Sequence, residues 1–368
     1  MDMNIAIFTP SRKVYSETFI QAHKRYLKGN ISYYYGPRFD KQVEGCDTLV
    51  SKRVNYFYTL IKILFKKPGD FVKRKSIIHS LKKNNIDVIL VEYGTHAHEI
   101  LSLIVENETP MVVHFHGYDA SMFDVVSRCN SYKEVFSYAS KVIAVSRKME
   151  EMLLDMGCPR EKLMYNVYGP QIEFEKVVPT FKKKQFIGIG RFTDKKAPYY
   201  TILAFKDVVE KHPDARLLLA GDGLLLNSCQ NLIKYYCLEK NVKLIGVIKP
   251  EEFRDLLKVS LAFVQHSIRA SNGDMEGTPL AVLEASVAGL PVISTIHAGI
   301  PDVIIHGQTG LLSPEHDVKK MASHMLCFLD NIELAKQFGV AGKLNVSNNF
   351  NIKRHIDSLQ LVLENSIK

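Results

Sequence analysis

Residues 273–301 read GDMEGTPLAVLEASVAGLPVISTIHAGIP, a turn-rich loop, an apolar helical pattern, a Gly-Leu-Pro break and then a short β-branched run. Thr278 suits a helix N-cap. Pro279 suits the first helical position, where the missing N–H costs nothing, so a helix is expected over 279–287. Glu276 then falls in the loop entering the helix, and Glu284 inside it. A helix start preceded by Gly277 offers backbone N–H groups to an anion with no side chain in the way. Local physics leaves two readings open. In one, two carboxylates flank an anion seat; in the other, Glu276 complements the helix dipole and Glu284 is solvated.

The same loop, helix and strand rhythm runs outward in both directions. Short apolar runs at 4–8, 87–91, 111–115, 141–145, 186–190, 216–220, 242–245, 261–264 and 291–294 read as strands, with segments between them long enough for crossover helices. Runs this short and unalternated are those of strands buried on both faces of parallel sheets, so the fold class expected is α/β. At 368 residues a two-domain prior applies. The break is expected across 169–184, where Pro170, Pro179 and Lys182-Lys183-Lys184 interrupt the pattern.

Two further stretches carry candidate chemistry. FIGIGRFTDKKAP, 186–198, reads as a strand, a glycine turn and a helix, with Arg191 at the carboxyl end of the strand and Lys196 five residues on. In an open α/β sheet that edge is where ligands bind, and two cations there can converge on a phosphate or remain solvated loop residues. The sixth position of its partial G-x-G-x-x-G is Thr193, which argues against a dinucleotide site. VVHFHGYD, 112–119, ends a strand near His116 and Gly117; His116 can hydrogen-bond a polar ligand, whereas His114 within the strand is expected to be packed. Ser16-Glu17-Thr18-Phe19 is a helix-entry signal after the first strand. No D-x-D, His/Cys cluster, P-loop or nucleophile elbow occurs, so no metal site is expected.

With these residues in hand, the chain resembles the family 4 retaining glycosyltransferases of the GT-B fold. Glu276 and Glu284 match that family's E-x7-E motif, and Gly190-Arg191-Phe192 with Lys196 matches its G-R-[FL]-x3-K clamp. Leu219 to Gly223, Leu244 to Gly246 and Ala298 to Asp302 follow in the family's order, while GDMEGTPLAVLEA and SETFI look like the colanic-acid and exopolysaccharide branch. The resemblance implies two Rossmann-like parallel-sheet domains facing across a cleft. Residues 1–175 would form the acceptor side and 176–349 the nucleotide-sugar side, with a helix at 350–368 packing back on the first.

It also implies roles. Glu284 would hold the ribose hydroxyls, Arg191 and Lys196 the diphosphate, and the backbone from Gly277 through Thr278 and Pro279 to Leu280 the phosphate or sugar. Glu276 would reach the sugar hydroxyls and His116 would approach the sugar from the first domain. The donor expected is a UDP-sugar ahead of a GDP-sugar, the acceptor a glycan or lipid-linked oligosaccharide, and no cofactor or metal is required. Two departures stand out: Ala197-Pro198 where many members have Gly after the clamp lysine, and Ser11 to Ser16 in place of the glycine-rich loop after the first strand. A non-catalytic nucleotide-sugar-binding subunit, or another GT-B enzyme such as a nucleotide-sugar epimerase, is the alternative.

Composition fits this picture. Hydrophobic residues make up 46% and charged residues 24%, as in ordinary globular proteins. The net charge is +9, and residues 52–83 contain ten basic side chains against one acid, Asp70; that segment equals the whole excess, and the remainder is neutral. So local an excess argues against nucleic acid as partner. Val50, Val54, Phe57, Ile61 and Leu64 fall at helical spacing beside Lys62, Lys66 and Lys67, which reads either as an amphipathic helix on an anionic membrane or as a core-facing helix with a solvated lysine face. Six scattered cysteines without a C-x-x-C pair, and no apolar run of membrane-spanning length, lead to the expectation of a cytoplasmic protein, peripheral on the inner face of the membrane if the basic segment docks there.

Overall fold

The computed structural model describes residues 3–12 and 17–367. Lys13 to Ser16, and with them most of the loop noted after the first strand, lie outside the described residues. The chain divides into two compact units. One comprises 1–145, 149–166 and 356–368; the other comprises 146–148 and 167–355. The crossing at 166/167 precedes the Pro- and Lys-rich stretch because Phe174 and Val177, both buried, belong to the second unit, where Phe174 meets Phe253 edge-on at 5.7 Å between ring centroids. Burial of two apolar side chains outweighs the composition of the loop around them.

The first unit contains β1 (Asn4–Thr9), β2 (Asn30–Tyr35), β3 (Gln42–Val43), β4 (Val88–Glu92), β5 (Met111–His114), β6 (Lys141–Ala144) and β7 (Leu163–Tyr165). Their order is β3-β2-β1-β4-β5-β6-β7, parallel except for the β2–β3 pair. The second unit contains β8 (Gln185–Ile189), β9 (Arg216–Ala220), β10 (Val242–Gly246), β11 (Ala262–Val264), β12 (Val292–Thr295) and β13 (Gly310–Ser313), all parallel, in the order β10-β9-β8-β11-β12-β13. Every residue of β4, β5, β11 and β12 is buried, as two-sided coverage by helices requires.

Both orders reverse direction after a central strand, at β1/β4 and at β8/β11. Such switch points open a crevice at the strands' carboxyl ends. The Pro198–Lys211 helix, with Pro at its first turn, covers the second sheet through Ile202, Phe205 and Val208, each fully buried and each contributing roughly 1.5–3 kcal/mol. The 280–287 helix differs from expectation at its start. It runs Leu280–Val287 with Pro279 as its N-cap and no side-chain capping bond, because Pro279 is still extended (ψ 118°); Thr278 lies one residue outside. Gly289, at φ +88°, then turns the chain toward β12.

Candidate functional site

In the second unit β8 delivers Gly190 and Arg191 to the switch point, and a single 3₁₀ turn, Asp194–Lys196, follows. The backbone is tightly nested here. A Cβ at Gly221 (φ +131°) would lie 1.9 Å from the Gly190 carbonyl oxygen, and one at Gly190 would lie 3.3 Å from the Lys196 side chain. The two consecutive lysines then reach the loop that carries Glu276. Lys195 Nζ donates to Asp274 Oδ1 at 2.8 Å and to the Met275 carbonyl at 3.1 Å; Lys196 Nζ lies 3.1 Å from Glu276 Oε1 and 3.4 Å from Gln265 Oε1. Ala197 ends the turn in the left-handed region (φ 36°, ψ 52°), a conformation that glycine adopts more readily than alanine.

The two motif glutamates differ electrostatically. Burial works to raise the Glu276 carboxyl, but the Lys196 and Lys195 ammonium groups hold it below its ordinary value. Burial pushes Glu284 up to about 8, with only the Arg254 charge opposing. Glu276 is therefore an anion in a cationic setting, while Glu284 keeps its proton near neutral pH. Among the described residues no hydrogen bond or ion pair joins Glu284 to Lys196. Arg191 is exposed, and its guanidinium makes no hydrogen bond or ion pair among the described residues.

Gly277 to Leu280 form the entry to the helix. Val282 N–H donates to the Pro279 carbonyl, leaving the Leu280 and Ala281 amides without a backbone acceptor among the described residues. Gly299 fastens this entry from below: its N–H donates to the Gly277 carbonyl at 2.9 Å, and a Cβ on it would sit 2.0 Å from Thr278 Oγ1. The glycine of Ala298 to Pro301 is thus a close-approach requirement.

The first unit holds a second cluster at its own switch point. Glu92, the last residue of β4, is fully buried; its Oε1 lies 2.7 Å from His23 Nδ1 and its Oε2 lies 2.8 Å from His116 Nε2. Burial works to raise this carboxyl, yet His23 and His116 hold it well below the ordinary range. His116 stacks on Phe19 at 4.5 Å and meets Tyr93 edge-on at 4.6 Å. Its backbone is pinned by Asp119, whose Oδ1 accepts from His116 N–H (3.0 Å) and Gly117 N–H (2.9 Å) while Oδ2 accepts from Gly94 N–H (2.9 Å). His114 is packed, as expected.

His23, Glu92 and His114 offer donor atoms within 4.8 Å of one another, a set that zinc would accept by residue type. Both Glu92 oxygens are already engaged at hydrogen-bond length, and no further observation points to an ion. Sequence reading missed Glu92, His23, Asp119, Lys195, Asp274, His297 and Glu315. Of these, Asp119, Lys195, Asp274 and His297 lie inside the stretches 112–119, 186–198 and 273–301; Glu92, His23 and Glu315 have no local signal.

Comparison with known proteins follows the same division. The family model "Glycosyl transferases group 1" matches residues 171–345, and "Glycosyltransferase Family 4" matches 35–165. AmsK of Erwinia amylovora, an amylovoran biosynthesis glycosyltransferase, is 31% identical over 284 residues, 75% of this chain and 69% of AmsK. WcaL of Escherichia coli, named for colanic acid biosynthesis, is 31% identical over 229 residues, 60% of this chain and 56% of WcaL. The chain thus matches little more than half the length of WcaL and of its Salmonella typhimurium counterpart. The Anabaena HepE structure in complex with UDP-glucose superimposes with a TM-score of 0.77 at 15% identity, covering 99% of this chain and all of HepE; sucrose-phosphate synthase of Thermosynechococcus elongatus gives 0.72 at 16%, covering 99% and 98%. Two parallel α/β units with a basic, glycine-lined switch point in the second define a GT-B protein. The chain belongs to family 4 of the glycosyltransferases, in the exopolysaccharide branch.

Proposed function

We propose that the protein transfers a sugar from a nucleotide-sugar, a UDP-sugar ahead of a GDP-sugar, to a glycan or lipid-linked acceptor in exopolysaccharide assembly, with retention of configuration. The observation that carries this reading is the second switch point. There a cation without a partner (Arg191), a cation at ion-pair distance from an ionised carboxylate (Lys196 and Glu276), free helix-entry amides and a protonated carboxyl (Glu284) occur within two short segments. That set matches the parts of a nucleotide diphosphate sugar: phosphate charge, sugar hydroxyls and a ribose diol.

Arg191, Lys196 and the Leu280 and Ala281 amides stabilise the charge that develops on the leaving diphosphate, so the chain's own cations do this work without a metal. Glu284 bonds the ribose, and Glu276 the hydroxyls of the transferred sugar. In the transfer step the acceptor oxygen bonds to the anomeric carbon on the face from which the diphosphate leaves. The anomeric C–O bond breaks with its electron pair going to the diphosphate, and the acceptor proton passes to the departing phosphate oxygen.

The acceptor partner is read from the basic segment. The Lys52–Leu64 helix has no buried residue, and Tyr56, Phe57, Ile63, Leu64 and Phe65 are each more than half exposed beside Lys62, Lys66 and Lys67. An apolar stripe with flanking lysines suits the anionic inner surface of the cytoplasmic membrane, where a lipid-linked acceptor is extended. No helix among the described residues is long and apolar enough to cross a membrane.

The test is acceptor-dependent release of nucleotide, screened over UDP- and GDP-sugars. Conversion of the nucleotide-sugar into its epimer with no net release of nucleotide would favour the epimerase alternative, and tight donor binding with neither change the non-catalytic one. Co-sedimentation with liposomes that is indifferent to anionic lipid, or to charge reversal at Lys62, Lys66 and Lys67, would remove the membrane partner.

A further inference from the structure

Glu276 is held at its carboxylate by Lys196, and its backbone is held separately. Its N–H meets His297 Nε2 at 3.1 Å. A backbone N–H can only donate, so Nε2 carries the lone pair and the ring proton is on Nδ1. Nδ1–H points at Glu315 Oε1, 2.6 Å away, and Glu315 Oε2 accepts from the Arg269 N–H at 2.9 Å. Glu315 therefore ties both ends of one loop, Arg269 directly and Glu276 through the imidazole.

Between these two ties the loop makes its own tight turn. Gly273 (φ +87°) donates to the Ala270 carbonyl at 2.8 Å, Ala270 N–H donates to the Asp274 carbonyl at 3.0 Å, and Lys195 grips Asp274 and Met275. The His297 side chain is fully buried just beyond β12, so its position is set by the sheet. Alongside the Lys195 contacts, His297 and Glu315 thus tie the loop at two backbone amides, Arg269 at one end and Glu276 at the other.

We propose that His297 and Glu315 are positioning residues for Glu276: Glu315 fixes the tautomer and orientation of His297, and His297 Nε2 fixes the Glu276 backbone so that its carboxylate is presented in one place. The inference rests on the reading of Glu276 as the residue that meets the transferred sugar. It adds two residues, one 21 and one 39 positions downstream of Glu276, to the machinery for that step. Misplacement of a contact residue by about 1 Å can cost on the order of 10²-fold in rate, and ligand affinity supplied by other residues need not change.

Two variants of the full chain separate the bonds. His297→Asn keeps an N–H donor near Nδ1 for Glu315 but offers Glu276 no acceptor. His297→Gln places an oxygen near the Nε2 position and keeps the acceptor. The first readout is hydrogen exchange of residues 270–277 in the ligand-free protein, which needs no substrate. His297→Asn should exchange there about tenfold faster than wild type, and His297→Gln, which keeps the acceptor but loses the Glu315 tie, only about threefold faster. With UDP-glucose as donor probe, the same split should appear in kcat, about tenfold lower for Asn alone, with KM and UDP affinity within about threefold in both. Equal behaviour of Asn and Gln, or wild-type exchange in Asn, would overturn the proposal. Failure of the wild-type protein to bind UDP would instead overturn the donor-site reading, with the loop result standing by itself.

Discussion

The two sheets reverse at equivalent places, yet the residues at the two reversals do opposite electrostatic work. At the carboxyl end of β4 a single, fully buried carboxylate, Glu92, sits among imidazoles and holds His23 and His116 at 2.7 and 2.8 Å. At the carboxyl end of β8 lysines dominate: Lys195 and Lys196 each meet an acid of one loop, and Arg191 remains exposed. The first arrangement is closed, with every carboxylate oxygen engaged inside the fold. The second is open, with two lysines paired to one loop and an exposed arginine beside them. Shared topology sets where chemistry can be placed, and the side chains after each strand decide whether the place is used to aim a group or to receive a charge.

Breaking each half of that contrast should give effects of descending size. Glu276→Ala removes the acid that faces the open site, and turnover should fall on the order of 10²-fold or more, measured as acceptor-dependent nucleotide release. Wild-type turnover would sink its assignment. Glu92→Ala leaves two buried imidazoles without their anion, and urea unfolding should show a loss of about 3–5 kcal/mol. A loss under about 1 kcal/mol would mean that the closed cluster is far less coupled than its distances imply.

Glu284 sharpens the contrast through pH. Its folded pKa is raised to about 8 by burial, so between the unfolded carboxyl value and pH 8 the folded chain holds a proton that the unfolded chain releases, and stability falls as pH rises through that window. Glu284→Gln should therefore raise Tm at pH 8 and leave it nearly unchanged near pH 4.5, while weakening UDP binding at both. A Tm gain independent of pH would show that the carboxyl is not protonated in the fold. The smallest effect is expected at Ala197, where glycine relieves a left-handed residue. Ala197→Gly should change stability by no more than about 1 kcal/mol, since relief of strain is offset by added freedom in the unfolded chain.

Nine strands are legible as apolar runs because most are buried on both faces and so carry little but Val, Ile, Leu, Ala and Phe; the edge strand β10, with exposed Lys243, is the least covered of them. The four that were not read have other reasons to be strands. β2 is NISYYY, whose polar and aromatic residues hide the pattern although Tyr33 and Tyr34 are buried; β3, β7 and β13 are two to four residues long and exist only by pairing with a neighbour. The 280–287 helix was legible to within one residue. Its cap was misread, since a proline's fixed φ permits either helical or extended ψ and only the packing of Gly299 against Thr278 selects between them.

What the sequence determined by itself is whatever depends on neighbours along the chain: strand and helix alternation, the glycine turns, and the order of the motifs and hence the family. What only the tertiary structure decided is the electrostatic state of the motifs' charged groups and the residues that hold them. Glu92 lies 69 positions from His23 and 24 from His116, and Glu315 lies 46 from Arg269. No local propensity records such pairs. They form because parallel strands deliver distant residues to one edge, where burial strips away water and leaves a carboxylate no partner but the imidazoles and amides the fold has brought beside it.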